Sequence, residues 1–304
     1  MCIRDRIKNA AVRARGLAIP SGAPRPYREA LDRDGIVLIP DYLSAERHRQ
    51  VLDAVDDYAF SPHLRDIGAE NGSGLVYRSG HVVSDQANDA GAVLNRTFAG
   101  DPLLLALAEH VIHRRVRAPL ILVYQSLELP SGRTDDQDRE QLLHVDKFFS
   151  CAKAIYFPDQ VTAADSPFVY CPGSHRLSLE RLRYEQAMSV REAMLRSGRA
   201  AELAPGPQIG FERGRNVVGP EFRQRLRLDE RPIICPGNTL VVVNNRGFHH
   251  RGVLAPGARR RSLWVNFYPY QRPHYGQLAF RLAKRTVDTN DVPRTLPEVH
   301  RQGG

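Results

Sequence analysis

The 304-residue sequence has no apolar run approaching the roughly 20 residues that a membrane-spanning helix needs, so no membrane association is expected. It has no CxxC pair, and its four cysteines, Cys2, Cys151, Cys171 and Cys235, lie far apart. That spacing excludes a zinc ribbon and a dense disulfide framework; reduced thiols in a cytoplasmic protein are the expectation. There is no internal repeat, which excludes a solenoid or propeller. The opening MCIRDRIKNAAVRARG is basic but lacks the apolar core of a secretory signal. Residues 1–26 are read as a flexible tail, a transit segment or sequence not native to the folded domain.

The body of the chain also lacks net charge. Of the overall +9, residues 1–28 contribute seven Arg/Lys against Asp5, and residues 281–304 contribute five against Asp288, Asp291 and Glu298. Only +1 is left for residues 29–280. A nucleic-acid-binding domain carries its basicity on its folded face, so no nucleic-acid partner is expected. The basic ends read as solvated tails around one domain spanning 27–280, with a C-terminal tail over 281–304.

What is present is mostly β-like. Residues 119–129, 148–158, 166–173, 236–245 and 261–270 are short runs rich in β-branched and aromatic residues, punctuated by Gly and Pro. DGIVLIP, 34–40, reads as a turn and a buried strand. Helices are predicted over 27–33, from Ser44 to about Tyr58, after Asp101-Pro102, and over 178–197 and 219–226. The fold class expected is mainly β with flanking helices, built on a double-stranded β-helix of the jelly-roll, cupin-like kind. Such a core points alternate side chains inward, so residues distant in sequence meet in one interior site.

LLHVDKFF places His144 and Asp146 two apart, on one face of a strand. A second strand runs into the adjacent pair His249 and His250. Two histidines and one carboxylate make the facial triad of non-haem Fe(II) oxygenases, which leaves three positions open. The same residues are compatible with a structural zinc or with no metal. Arg259, Arg260 and Arg261 then open a strand, and Ser262 shares a face with Arg260. A buried guanidinium clamps a carboxylate through paired, charge-assisted hydrogen bonds. A metal triad with a strand-borne Arg-x-Ser is what binding of 2-oxoglutarate requires: two oxygens chelate the metal and the distal carboxylate meets the cation. Tyr124, Gln125 and Lys153, on strands flanking HVD, can also reach a cosubstrate, and core packing or solvent exposure accounts for them equally well.

These spaced motifs resemble the phytanoyl-CoA dioxygenase family of Fe(II)/2-oxoglutarate oxygenases, which includes ectoine hydroxylase. The resemblance covers about residues 27–270. It rests on DGIVLIPDYLS, HVD, the PGSH of FVYCPGSHRLS, GNTLVVVNNRGFHHRG and RRSLWVNF. In that family the cosubstrate arginine follows the distal histidine by eleven residues and is itself followed by a variable and then a small residue. His249 and Arg260 fit this spacing, with Ser262 as the small residue; His250 would require Arg259 and would put Arg261 in the small position. Many members carry Ser or another small residue two after the distal histidine, where this chain has Arg251.

The resemblance implies iron held by His144, Asp146 and His249, and 2-oxoglutarate anchored by Arg260 and Ser262, with Tyr124, Gln125 and Lys153 nearby. With O2, such an enzyme hydroxylates an unactivated C–H of a small molecule and releases succinate and CO2. Asp146 points to hydroxylation over halogenation, since halogenating relatives replace that carboxylate by a small residue. The other reading is a non-catalytic metal- or ligand-binding jelly roll. Residues 59–100 and 178–235 are expected to shape the mouth, with Arg176, Arg181 and Arg183 hinting at an anionic substrate. His81 is expected to line the mouth, and His175 to stabilise a turn.

Overall fold

The computed structural model describes residues 22–59, 65–66, 75–81, 89–116, 119–128, 141–146, 150–199 and 216–267. All lie in one compact unit, Met1–Pro269. The first helix begins at Arg25, just inside the expected tail; the expected boundary at 280 lies outside the described residues.

Two antiparallel sheets form the core. The larger runs in the order β1-β10-β6-β12-β4-β3-β2 and the smaller β8-β5-β11-β7-β9. The large sheet contains β1 (Ile36–Ile39), β2 (Arg65–Asp66), β3 (Leu75–His81), β4 (Leu120–Glu128), β6 (Ala152–Phe157), β10 (Thr239–Asn244) and β12 (Arg259–Phe267). The small sheet contains β5 (His144–Val145), β7 (Phe168–Tyr170), β8 (Asn216–Val217), β9 (Arg231–Pro232) and β11 (His249–Arg251). Neighbours in the large sheet are far apart in sequence: β6 lies between β10 and β12, more than 80 residues downstream. This is the jelly roll expected from the spacing of short strands.

The central strands read as continuous apolar runs because both of their faces are buried. Ala154, Tyr156, Leu240, Val242, Leu263 and Val265 face one core cluster, which they share with the helices. Ile155, Phe157, Val241 and Val243 face the other, between the sheets, with Phe168 and Tyr170 opposite. The split follows the two-residue period of a strand. The register carries it across strands, for Val241 is opposite Ile155 and Trp264 is opposite Ile155 on the other side.

Helices α1 (Arg25–Arg33), α2 (Ala45–Ala59), α3 (Asp89–Phe98) and α4 (Pro102–Ile112) supply the outer cluster. Asp101 caps α4 by accepting from the Leu104 amide at 2.7 Å, with Pro102 in the first turn. His113 ends the helix in the left-handed conformation. Asn238 is also left-handed, at φ 59°. Its amide donates to the Leu43 carbonyl and accepts from the Leu43 amide and the Tyr156 hydroxyl. That tie seats the chain before α2 against the β10 turn. Helices α5 (Leu179–Arg196) and α6 (Pro220–Leu226) flank the small sheet, where Tyr184 of α5 packs on Phe222 of α6 and on Phe248. None of the described helices is long and apolar enough to cross a membrane.

Candidate functional site

The small sheet brings the two histidine stretches side by side. His249 of β11 lies opposite His144 of β5 on one side and Tyr170 of β7 on the other. The turn before β11 has no room for a side chain at Gly247, where a Cβ would collide with the Tyr170 hydroxyl. That hydroxyl donates to the Asn244 carbonyl at 2.9 Å and fixes the turn. Both strands leave their histidines buried, with the ring centroids 4.7 Å apart.

Strand β5 is shorter than the sequence suggests. It ends at Val145, and Asp146 lies in the bend that follows. The carboxylate still turns toward the imidazoles: Asp146 Oδ1 is 3.4 Å from His144 Nε2, and Oδ2 is 3.6 Å from His249 Nε2. The ligand atoms of the three residues all lie within 4.8 Å of one another. Among the described residues, this is the cluster of histidine, cysteine and acidic side chains fit to hold a metal ion.

Each ring is oriented by its other nitrogen. His144 Nδ1 pairs with the Leu142 carbonyl at 2.6 Å, and His249 Nδ1 with the Gly247 carbonyl at 2.9 Å. A carbonyl only accepts, so both Nδ1 atoms carry the proton and both Nε2 atoms present lone pairs to the centre. This is the usual way a protein fixes the tautomer of a metal-binding histidine. His249 Nε2 is buried without a hydrogen-bond partner. A buried acceptor left unsatisfied is costly, and a cation at the centre of the three residues removes that cost.

Lys153 of β6 donates to Asp146 Oδ2 at 2.8 Å, and Asn245 Nδ2 donates to the same oxygen at 3.1 Å. Burial alone raises the Asp146 pKa, but Lys153, followed by the adjacent imidazoles of His144 and His249, brings it well below the usual carboxylate range. The His249 imidazole is pushed down to about 4, chiefly by burial, against the opposing pull of Asp146. One carboxylate and two imidazoles are a donor set suited to a divalent transition metal.

These shifts set the acid stability of the metal-free protein. An unfolded imidazole takes its proton near 6.5, whereas folded His249 resists until about 4. The folded state therefore loses stability as pH falls through that window. Asp146 contributes only lower, below its ordinary 3.8. Urea unfolding of metal-free protein between pH 7 and pH 4.5 should show stability falling with pH, and His249→Gln should flatten the decline. Parallel curves for the two proteins would contradict the burial argument.

The remaining sequence candidates divide by strand face. On β12, Arg260 and Ser262 are buried, Arg259 is exposed, and Arg261 leaves on the other face. There Arg261 makes a two-pronged pair with Asp159, at 2.7 Å for each prong, and reaches Asp56. Arg260 Nη1 donates to the Ser166 carbonyl, while its Nε is buried without a hydrogen-bond partner. Its pKa is lowered to about 10 by burial, opposed by Asp165. The Ser262 hydroxyl accepts from Trp264 Nε1 at 2.9 Å, and Lys153 Nζ lies 4.5 Å over the Trp264 ring. Ser262, Trp264, Lys153 and Asp146 are thus linked one to the next, ending at the cluster of His144, Asp146 and His249. Tyr124 and Gln125 lie on β4 opposite Ser262 and Arg261; their side chains, like that of His81, lie outside the described residues.

Several residues have other roles. His250 points away from the cluster and pairs with Glu230 at 2.9 Å, as strand alternation requires. His175 is buried in the PGSH turn, against Gly35. Arg181 is not a mouth residue: it is buried, pairs with Glu185 at 2.8 Å, donates to the Ser174 and Arg246 carbonyls and covers the Phe248 ring. Arg176 and Arg183 are exposed. The sequence reading did not find Asn245 or Ser166; their side chains carry no signal until the fold places them.

Neither a protein-family model nor a curated protein sequence matches the chain. Solved structures do. The epimerase SnoN in complex with Fe3+, alpha ketoglutarate and nogalamycin RO superposes with a TM-score of 0.53 at 17% identity, over 91% of this chain and 93% of that one. EctD from S. alaskensis with 2-oxoglutarate and 5-hydroxyectoine gives 0.51 at 13% identity, over 82% and 78%. The carbocyclase SnoK from nogalamycin biosynthesis gives 0.50 at 12% identity, over 81% and 84%. At such identities the likeness is one of fold.

Proposed function

We propose that the protein is a mononuclear Fe(II)/2-oxoglutarate-dependent oxygenase of the phytanoyl-CoA dioxygenase type, its catalytic domain spanning about residues 27–280. The observation that carries this reading is the buried lone pair of His249 Nε2, aimed with His144 Nε2 at the Asp146 carboxylate. His144, Asp146 and His249 hold the iron. Arg260 anchors the distal carboxylate of 2-oxoglutarate, with Ser262 beside it and Tyr124 and Gln125 on the adjoining strand. Bound iron and 2-oxoglutarate, with O2, supply oxidation of an unactivated C–H with release of succinate and CO2. The fold of SnoN, SnoK and EctD supports this reading, as does the iron and keto acid named for the first and the 2-oxoglutarate named for the last.

The chain's own residues provide the setting. Lys153 and Asn245 hold one carboxylate oxygen of Asp146 and orient the other. The two backbone carbonyls fix both imidazoles in the metal-binding tautomer. The Phe168 ring packs beside His249, with its centroid 5.4 Å from that of the imidazole. The substrate is a small organic molecule, and hydroxylation is the outcome proposed. Epimerisation and carbocyclisation, named for SnoN and SnoK, draw on the same kind of site.

The test is uncoupled turnover. Iron-loaded protein incubated in air with 2-oxoglutarate alone should slowly release succinate, and should stop when iron is chelated. Folded, iron-replete protein that forms no succinate would overturn the enzyme reading in favour of a binding protein.

A further inference from the structure

Arg251 stands where a small residue was expected, and the structure gives it a defined place. It lies two residues beyond His249 on β11, so its side chain leaves the same face of the small sheet. It is buried, at 7% exposure, as is Arg260, at 6%. Both guanidiniums meet at Ser166. Arg251 Nη1 donates to the Ser166 hydroxyl at 2.9 Å, and Arg260 Nη1 donates to the Ser166 carbonyl. The Ser166 hydroxyl donates in turn to the Gly252 carbonyl at 2.8 Å. Ser166 is fully buried and left-handed, at φ 55°, a conformation a serine holds only when its surroundings fix it.

Two guanidiniums held this close repel each other. The nearby acid, Asp165, has a carboxylate oxygen engaged by the Thr162 amide and hydroxyl, at 2.8 and 2.6 Å. Buried like charges are tolerated when a counter-charge arrives with good hydrogen-bond geometry. The buried, unpartnered Arg260 Nε marks where a donor awaits an acceptor. Resting on the oxygenase reading above, we infer that Arg251 and Arg260 together form a paired-guanidinium pocket for the distal carboxylate of the keto acid. Arg251 is then a specificity residue that makes the protein demand a dicarboxylate and reject keto acids with an uncharged tail.

Binding measures this without turnover. Anaerobic Fe(II) protein is titrated with 2-oxoglutarate and with 2-oxopentanoate, which keeps the chelating end and lacks the distal carboxylate, and the visible charge-transfer band is followed. In Arg251→Met, 2-oxoglutarate should bind at least about tenfold more weakly, while 2-oxopentanoate and Fe(II) bind as in the parent. Arg251→Lys keeps the charge but loses the fork, and should fall between the two; it also serves if the methionine variant does not fold. Unchanged 2-oxoglutarate affinity, or equal loss for both acids, overturns the role of Arg251. A parent protein that binds Fe(II) but gives no band with 2-oxoglutarate overturns the oxygenase reading itself.

Discussion

Replacing His249 with alanine should abolish iron binding and succinate release together, while His250→Ala keeps both. The two imidazoles are adjacent in sequence and opposite in direction. His249 is 3% exposed and its Nε2 faces Asp146; His250 pairs with Glu230 on the other face. The alanine at 249 leaves His144 and Asp146 alone, and two ligands hold a divalent cation poorly against water. It also removes the ring packed on Phe168, so folding should be checked by urea unfolding of the metal-free variant. His250→Ala removes a partly exposed contact with Glu230 worth at most about 1 kcal/mol. Iron stoichiometry on both variants decides the matter: an iron-free His250→Ala beside an iron-replete His249→Ala reverses the assignment.

Arg260→Ala should raise the apparent KM for 2-oxoglutarate steeply with little change in iron affinity. Removing one member of a buried, hydrogen-bonded charge pair costs about 2–5 kcal/mol, or roughly thirtyfold to several thousandfold in affinity. Arg259→Ala should change nothing, since that side chain is exposed. Arg261→Ala should lower stability by releasing Asp159 and Asp56, and leave the KM intact. A steep KM effect at 259 or 261 and none at 260 would place the wrong face of β12 inside the barrel.

The three arginines show what a sequence can disclose. Alternation alone puts Arg260 on one side of the strand and its neighbours on the other, and the small residue two further on marks the interior side. The longer strands were legible for a related reason: runs such as Leu240 to Val243, buried on both faces, are apolar throughout. Strands β5, β8 and β9, two residues each, are too short to show any period and exist because longer neighbours present an edge. Helix α3 and strand β3 also went unread; β3 carries Ser79 and Gly80 and is held by pairing along β4.

At the site, the types and spacing of His144, Asp146 and His249 were visible, but the partners that orient them were not. The carbonyls of Leu142 and Gly247 are backbone groups with no signature in sequence. Lys153 was legible as a cation able to bond a carboxylate at the site or to face solvent, and its ammonium bonds the carboxylate of Asp146. Arg181 misled for the opposite reason: a guanidinium in a predicted mouth suggests an anion, yet Glu185, four residues on, already answers it.

The most direct test of the metal assignment is anomalous diffraction at the iron edge, from crystals grown anaerobically with Fe(II) and 2-oxoglutarate. A single peak bonded to His144 Nε2, His249 Nε2 and one oxygen of Asp146 is predicted, with the keto acid chelating the same ion and its far carboxylate at Arg260. An iron peak between His250 and Glu230, or no peak within reach of His249 in fully iron-loaded protein, would contradict it.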